Sequence, residues 1–421
     1  MPTPSSSALK PRFLSDFWKF WTGQTISTLG SSFTSFAFPL LIFKLTGSPL
    51  NLALTVVATV LPYLLFGLVI GAWVDRVNRK RLMIATDIAR ALVIASIPLA
   101  STQGLLSVEW IYAVAFLNST LTISFDAANF AAVPSLIRQQ DLVTANGRLQ
   151  AGYSIAKVGG PLLGGLLLIA IPLPMLLLID ALSFLVSASS LMLITTSFNT
   201  VTDEKQAPTS LRQDIVEGLR YVLKHPILSW LALLLLLVNF ILPTTGAQLV
   251  LFAKQWFASS DTQIGLLYAG GSLGTMIFSL LAGQFRKRLP LGMITLVALL
   301  LEGVFTALTA FTHLYVVLFL LWTLRGGADV LFIITSYSLA QLAVPNQLLG
   351  RVITVIRVMT WSTASLGALL GGFAFERANS VGLVYATIGL LISGITAVFF
   401  LTPLGHAERY LPKNTPPQNL D

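Results

Sequence analysis

The sequence predicts an all-α integral membrane protein in which twelve transmembrane helices form two pseudo-symmetric six-helix bundles. Hydrophobic residues make up 55% of the 421 residues and charged residues only 10%, whereas a soluble domain carries roughly 25% charged residues. The mean hydropathy of +0.81 is typical of a chain mostly immersed in lipid. Apolar residues run continuously, which favours helices over the alternating strands of a barrel. A soluble enzyme is therefore nearly excluded, and we expect no enzymatic activity.

Continuous apolar stretches define the individual helices. A spanning helix needs roughly 20 apolar residues, and we predict helices at residues 17–45, 50–73, 82–101, 107–137, 143–170, 173–197, 227–253, 262–284, 290–311, 314–343, 349–376 and 380–402. The only long polar connector follows the sixth helix. The predicted organisation is a tail (1–16), a first bundle (17–197), a linker (198–226), a second bundle (227–402) and a second tail (403–421).

The linker contains a predicted amphipathic helix at Leu211–Lys224. Ser210 and Gln213 can form a capping box at its start. Four apolar side chains share one face of this helix: Leu211, Ile215, Leu219 and Leu223. Such a helix lies along the membrane surface, so we expect it to tether the two halves.

The positions of Lys and Arg orient the chain. With both termini in the cytoplasm, most of the 26 Lys and Arg residues fall on the cytoplasmic side, and only Lys44, Lys254 and Arg377 fall outside. This is the bias that the positive-inside rule describes. We therefore expect a multi-pass protein of the inner cell membrane with both termini cytoplasmic. The net charge of +9 then faces an anionic leaflet, and no nucleic-acid partner is required.

The two halves carry matching motifs in the same order. Gly160-Pro161-Leu162-Leu163-Gly164-Gly165 matches Gly367-Ala368-Leu369-Leu370-Gly371-Gly372, and shorter matches are Val133-Pro134 with Val344-Pro345, Gly147-Arg148 with Gly350-Arg351, and Gly71 with Gly283. Because six is an even number of helices, both copies have the same orientation in the membrane. This parallel repeat is typical of two-halved transporters.

Composition excludes several kinds of site. The chain has no cysteine, so disulfides, thiolate metal sites and cysteine nucleophiles are excluded. The three histidines, His225, His313 and His406, have no metal-ligand spacing. A Gly-x-x-x-x-Gly-Lys-Ser/Thr run is also missing, which argues against ATP coupling within this chain. We expect no metal, no other cofactor and a monomeric protein.

Two motifs resemble those of the major facilitator superfamily. Between predicted helices two and three, a Gly is followed four residues later by Asp, then by Arg and a basic cluster, in the run Gly71-Ala72-Trp73-Val74-Asp75-Arg76-Val77-Asn78-Arg79-Lys80-Arg81. In predicted helix five, the run Gly160-Pro161-Leu162-Leu163-Gly164 resembles the antiporter motif. Asn78 and Ala156 stand where the superfamily usually has Gly. Asn tolerates a left-handed turn, so we expect the loop shape to persist.

Shorter segments resemble the macrolide-efflux and enterobactin-exporter branch of the drug:proton antiporters. They are Gly23-Gln24-Thr25-Ile26-Ser27, Leu45-Thr46-Gly47-Ser48-Pro49, Ala145-Asn146 and Glu217-Gly218-Leu219-Arg220-Tyr221-Val222. The resemblance implies the major facilitator fold, with predicted helices one, four, seven and ten lining a central cavity.

The loop motif implies a gate. Gly71 would let helix two approach helix eleven, and Asp75 would lie at the start of that helix, where an acid is favoured by roughly 0.3–1 kcal/mol. With Arg76, Arg79 and Lys80, it would hold the cytoplasmic side shut. The alternative is that these charges merely flank the membrane.

The helix-five motif has two interpretations. Gly160 and Gly164 lie on a small-residue face, and Pro161 removes one backbone donor and can bend the helix. These residues predict either a hinge at the seam between the halves or ordinary close packing.

Ionisable residues inside spans are costly, so each is a functional candidate. Asp126 shares one helix face with Asn118, Thr122 and Asn129. Those neighbours can hydrogen-bond either protonation state of its carboxyl group. We expect Asp126 to carry the proton and to pair with Lys157 on the next helix.

Other polar groups are weaker candidates. Arg325 and Asp329 are four residues apart and are expected to pair on one face, in either a structural or a transport role. Asp87 and Arg90 are expected to be structural groups that reach the interface. Predicted helix one carries a polar stripe of Gln24, Ser27, Ser31 and Ser35. Two more carboxylates lie on helices six and nine, which are not expected to be the primary cavity wall: Asp180 and Glu302.

These features predict a proton-driven secondary transporter that exports hydrophobic or amphipathic small molecules by alternating access. Two alternatives stay open. One is a transporter of the same fold for a siderophore, a lipid or a nutrient. The other is a membrane receptor or scaffold without transport, although intramembrane charges argue against it.

Overall fold

A computed structural model describes residues 11–74, 76–137, 142–198, 211–378 and 380–410. Within these ranges the chain is helical and contains no strand. The first half contains α1 (Pro11–Thr46), α2 (Pro49–Val74), α3 (Arg79–Thr102), α4 (Val108–Leu136), α5 (Leu142–Leu167) and α6 (Leu173–Met192). The linker helix is α7 (Leu211–Lys224). The second half contains α8 (Pro226–Ile241), α9 (Pro243–Ala247), α10 (Leu249–Phe257), α11 (Asp261–Arg288), α12 (Leu291–Thr309), α13 (Tyr315–Ala343), α14 (Asn346–Arg377) and α15 (Val381–Phe399), followed by a 3-10 helix (Pro403–Arg409).

Eleven of the helices in the described chain are long and apolar enough to cross a membrane. The remaining predicted span is α5, a helix of 26 residues. It contains the polar residues Arg148, Gln150 and Lys157. The all-α membrane fold that the sequence predicts is confirmed.

The seventh predicted span is not one continuous helix. The stretch predicted at 227–253 is divided into α8, α9 and α10. Pro243 begins the middle segment, and a proline lacks the backbone N–H that a continuous helix needs at that position. The division places Thr245, on the short α9, within hydrogen-bonding distance of Arg325 on α13.

The linker helix forms where the sequence predicts it. Val222 is fully buried, whereas Leu219 and Leu223 are exposed, as expected for an apolar edge directed at lipid. The Tyr221 hydroxyl donates a hydrogen bond to the Ala343 carbonyl at 3.1 Å. The predicted capping residue, Ser210, lies outside the described residues.

Contacts between Cα atoms divide the chain into two compact units. Unit 1 comprises the described residues of Met1–Gly47, Leu54–Lys205 and Ser260–Ala269. In unit 1, α1 packs on α5 and α6, and α3 packs on α4 and α6. Unit 2 comprises the described residues of Ser48–Ala53, Gln206–Ser259 and Gly270–Asp421. In unit 2, α12 packs on α13 and α15, and α14 packs on α7 and α8.

Small residues permit this close packing within each unit. A Cβ on Gly30 of α1 would lie 2.7 Å from the Cβ of Ser183 on α6. In unit 2, a Cβ on Gly303 of α12 would lie 2.9 Å from the Gly389 carbonyl oxygen of α15. Close backbone approach through glycine is the usual way for membrane helices to gain packing contacts.

Candidate functional site

A buried arginine organises the polar interior of unit 1. Arg90 of α3 is only 6% exposed. Its guanidinium lies 3.7 Å from the Asp87 carboxylate, and it donates hydrogen bonds to Asn118 on α4 and Ser31 on α1, each at 3.4 Å. It also stacks over the Phe184 ring of α6 at 3.9 Å. Arg90 therefore contacts three neighbouring helices at once.

The expectation that Asp87 and Arg90 reach the interface is wrong. Asp87 is fully buried, because α3 directs this face towards α4 and α6 and away from lipid. Burying a charge is costly unless an opposite charge and hydrogen bonds compensate for it. Arg90 has an opposite charge beside it, Asp87, and hydrogen-bond acceptors on Asn118 and Ser31. The sequence did not indicate that Arg90 contacts three helices of unit 1.

Asp180 and Gln24 belong to the seam between α1 and α6. Asp180 is fully buried and accepts hydrogen bonds from the Thr34 hydroxyl and, at 3.3 Å, from the Ser183 hydroxyl. The Gln24 amide donates to the Ser187 hydroxyl at 3.2 Å. These contacts place Asp180 inside the helix packing, in keeping with its expected position away from the cavity wall.

Asp126 is the accessible acid of this network. Its side chain is exposed, and the positive charge of Arg90 interacts with it electrostatically. On the same helix, the Thr122 hydroxyl donates to the Asn118 carbonyl at 2.8 Å.

The cation near Asp126 is Arg90 and not the predicted Lys157. Lys157 is exposed on α5, and within the described chain no ion pair joins it to Asp126. The fourth member of the predicted stripe, Asn129, is half-buried, and its Oδ1 atom has no hydrogen-bond partner among the described residues.

A second charged cluster lies in unit 2. Glu302 of α12 is fully buried, and its Oε1 atom lies 3.2 Å from the Arg325 guanidinium of α13. Arg325 also donates to the Thr306 hydroxyl at 3.2 Å and to the Thr245 hydroxyl at 2.9 Å. Its guanidinium stacks over the Trp322 ring at 4.6 Å.

This cluster gives Arg325 a partner in addition to the predicted Asp329. The guanidinium pairs with Glu302 of a neighbouring helix, and Asp329 interacts electrostatically with Glu302. Spacing along one helix shows which residues share a face, but it does not reveal a partner on another helix. The helix that carries Glu302 also contributes to a cavity wall, contrary to expectation.

The unit 2 cluster lines a cavity of about 370 Å³, a size typical of small-molecule sites. Its polar wall contains Asn239, Glu302, Arg325, Asp329, Ser336 and Thr360. Its aromatic wall contains Phe332, Tyr337 and Trp361. The remaining wall is aliphatic and comes mainly from α8 and α13. Such a cavity suits a ligand with one polar end and an apolar body.

The predicted gating motif is only partly described. Asp75 lies outside the described residues. The Arg79 guanidinium donates to the Phe198 carbonyl at 3.4 Å, and the Lys80 ammonium donates to the Ile194 carbonyl at 2.5 Å. These two basic residues therefore bind the segment that follows α6 within unit 1. Gly71 lies within α2, which continues to Val74. The Arg76 side chain is exposed.

Asp16 is a structural carboxylate that the sequence did not single out. It forms a salt bridge with Lys19 at 3.0 Å. It also accepts hydrogen bonds from the backbone N–H groups of Thr195 and Thr196, at 3.0 and 3.1 Å. Asp16 thereby joins the start of α1 to the segment after α6.

The helix-five glycines pack against α1. A Cβ on Gly160 would overlap Ser32, and a Cβ on Gly164 would lie 3.0 Å from the Phe36 ring. Pro161 lies inside α5, which continues to Leu167. Both the hinge and the packing interpretation are compatible with these contacts.

Among the described residues, no group of three or more His, Asp or Glu side chains is arranged to hold a metal ion.

Comparisons with known proteins agree with this architecture. Residues 6–421 match the family model described as "Transmembrane secretion effector". The chain is 26% identical over 385 residues to the multidrug efflux pump Tap of Mycolicibacterium fortuitum, covering 88% of this chain and 92% of that protein. It is 26% identical over 271 residues to macrolide efflux protein A of Streptococcus pyogenes, covering 64% of this chain and 66% of that protein.

Solved structures show the same fold. The nucleoside transporter NupG aligns with a TM-score of 0.73 at 16% identity, covering 94% of this chain and 99% of that one. A bacterial homologue of the lysosomal transporter Spinster aligns with a TM-score of 0.72 at 15% identity, covering 96% and 98%. The resemblance inferred from the loop and helix-five motifs is confirmed, and the chain belongs to the transmembrane secretion effector family of major facilitator transporters.

Proposed function

We propose that this multi-pass membrane protein exports hydrophobic or amphipathic small molecules in exchange for protons. Relatives named as a multidrug efflux pump and a macrolide efflux protein support export. The bundles at 17–197 and 227–402 would alternate access in a monomer of the inner cell membrane. Both termini and the linker would face the cytoplasm, in accord with the Lys and Arg bias.

The observation that carries the proton coupling is the network around Arg90. An accessible carboxylate, Asp126, lies within electrostatic range of a buried guanidinium that already has Asp87 beside it. Intramembrane charges of this kind are expensive to maintain and mark ion pathways. A charge change at Asp126 therefore alters the balance of a network that spans α1, α3, α4 and α6.

Proton and substrate would occupy the protein alternately. Uptake of a proton from outside cancels the negative charge of Asp126 and weakens its attraction for Arg90. Release of that proton to the cytoplasm restores the charge, so a new substrate molecule can bind. Asp75, if it lies at the start of helix eleven as the motif implies, would stabilise the state that is closed to the cytoplasm.

The proposal is tested in two steps. A susceptibility screen of cells with and without the protein, across chemically diverse drugs, identifies a substrate. Everted membrane vesicles are then acidified inside and monitored with a pH-sensitive dye. Addition of that substrate should release protons only from vesicles that contain the protein. Drug resistance without any proton movement would contradict the coupling, and unchanged susceptibility to every compound would contradict drug export.

A further inference from the structure

The cavity of unit 2 contains buried acceptors that the protein leaves unsatisfied. Both carboxylate oxygens of Glu302 are buried and accept no hydrogen bond from the described chain, although the Arg325 guanidinium lies 3.2 Å from one of them. The Ser336 hydroxyl oxygen is likewise buried without a hydrogen-bond partner, and the residue is only 2% exposed. Glu302 and Ser336 both line the cavity. Buried polar groups are normally hydrogen-bonded, so two such groups facing one cavity call for a donor inside it.

Several donors beside the Glu302 carboxylate are directed at other acceptors. Arg325 directs its Nε to Thr306 and an Nη to Thr245. The Thr306 hydroxyl donates to the Glu302 backbone carbonyl at 2.7 Å, and the Thr245 hydroxyl donates to the Leu242 carbonyl at 2.7 Å. None of these hydroxyl protons is directed at the Glu302 carboxylate. A ligand in the cavity with N–H or O–H groups would supply the donors that these acceptors lack.

The aromatic and aliphatic side chains that line the cavity indicate what kind of ligand body would fit it. Phe332, Tyr337 and Trp361 form one wall, and Leu235, Val238 and Ile356 contribute apolar surface elsewhere. Aromatic faces attract cations as well as apolar groups, and a second carboxylate, Asp329, lines the same space. A protonated amine supplies several N–H donors and a positive charge, which a hydroxyl group does not.

The repeat gives a contrast between the two units. In the register set by Gly71 and Gly283, Glu302 corresponds to Arg90. In the register set by Val133-Pro134 and Val344-Pro345, Asp329 corresponds to Asn118. Unit 1 therefore has a cation and an amide where unit 2 has two carboxylates. The cavity of unit 2 is lined by these two carboxylates and by the cation Arg325, so a ligand cation would balance its charge.

We propose that the cavity of unit 2 binds the ammonium group of an amphipathic amine, with its N–H groups donating to Glu302 and Ser336 and its apolar body against the aromatic wall. The proposal deepens the export function by naming the substrate class, and it rests on that function for its physiological meaning. It also separates the two tasks, because the ligand cation is held in unit 2 and the proton carrier Asp126 lies in unit 1.

The test is equilibrium binding to the full-length chain in lipid nanodiscs without a pH gradient. The probe is 3,3-diphenylpropylamine, which is a primary ammonium ion at neutral pH. Its N,N,N-trimethyl analogue keeps the charge but has no N–H donor, and 3,3-diphenylpropan-1-ol is neutral with one donor. The primary amine should bind at least 10-fold more tightly than either analogue. Equal affinity for all three compounds would overturn the proposal.

Two substitutions on one helix locate the site. Ser336→Ala should weaken binding of the amine about 3–10-fold, the range expected for one hydrogen bond. The matched control is Ser338→Ala, because the Ser338 hydroxyl donates to the Ile334 carbonyl at 2.8 Å and does not line the cavity. The control should bind like the unaltered protein. Equal effects of the two substitutions, or none from Ser336→Ala, would refute the assigned site.

A third variant, Glu302→Gln, should remove the preference for the amine over the alcohol. Its elution as a single species in size-exclusion chromatography establishes that it is folded. Retention of the full preference in folded protein would refute the role of Glu302. Binding is measured with the amine and without a gradient, whereas the proton-release assay uses the substrate found by the susceptibility screen. Failure of amine binding therefore does not decide the proton-release result, and the two proposals fail independently.

Discussion

The ion pair between Glu302 and Arg325 predicts a large and specific loss of stability when one partner is removed. Arg325→Met deletes the guanidinium that lies 3.2 Å from the fully buried Glu302 carboxylate. Breaking a buried pair in this way costs about 3–5 kcal/mol, because the remaining charge is left without compensation. The hydrogen bonds to Thr306 and Thr245 are lost as well. For a folding unit of this size, such a loss lowers Tm by about 6 °C or more.

A double-mutant cycle identifies the partner of Arg325. Glu302→Gln combined with Arg325→Met removes both charges and should restore most of the stability that Arg325→Met alone loses. Asp329→Asn combined with Arg325→Met should not, because the buried Glu302 charge remains. Thermal unfolding is followed by intrinsic tryptophan fluorescence, to which Trp322 contributes because it stacks under the guanidinium. Rescue by Asp329→Asn and not by Glu302→Gln would refute the assigned pairing.

Four further outcomes are expected. Lys157→Gln should leave transport unchanged, since Arg90 and not Lys157 lies near Asp126; a loss of coupling measured in vesicles would argue for the lysine. Asp75→Asn should slow transport at normal expression if the loop motif forms a gate, and a full transport rate in the efflux assay would identify Asp75 as a flanking charge. Gly160→Ala should lower Tm, because its Cβ would overlap Ser32, and an unchanged melting curve would contradict the close approach of α1 and α5. Single cysteines at Thr202 and Thr415 should resist impermeant thiol reagents in intact cells, whereas labelling of either would overturn the proposed topology.

The helical architecture could be predicted because hydropathy and length are properties of each segment by itself. Every predicted span has a helix in the structure, and the linker helix has the predicted bounds. The division of the seventh span was missed, although Pro243 was a local signal for it. The residues on both sides of this single proline are mostly apolar, so hydropathy alone predicts one continuous span.

The partners of the intramembrane charges could not be predicted in the same way. The four-residue spacing of Arg325 and Asp329 predicts a pair on one face, but it gives no sign that the packing of α12 against α13 also brings Glu302 to the guanidinium. The rotation of each helix about its own axis determines which side chains meet across a helix pair. A membrane helix that is apolar on every face gives little indication of that rotation. For the same reason Arg90 was expected at the interface, while the structure directs it to the interior of unit 1.

Proton coupling through Asp126 is tested most directly by efflux in vesicles with an imposed pH gradient, using a substrate found by the susceptibility screen. Asp126→Asn keeps the shape of the side chain and removes its titration, whereas Asp126→Glu retains a carboxylate as the matched control. We expect Asp126→Asn to abolish uphill export while substrate binding persists, and Asp126→Glu to retain some uphill export. Accumulation of substrate against its gradient by Asp126→Asn, at the rate of the unaltered protein, would show that another group carries the proton.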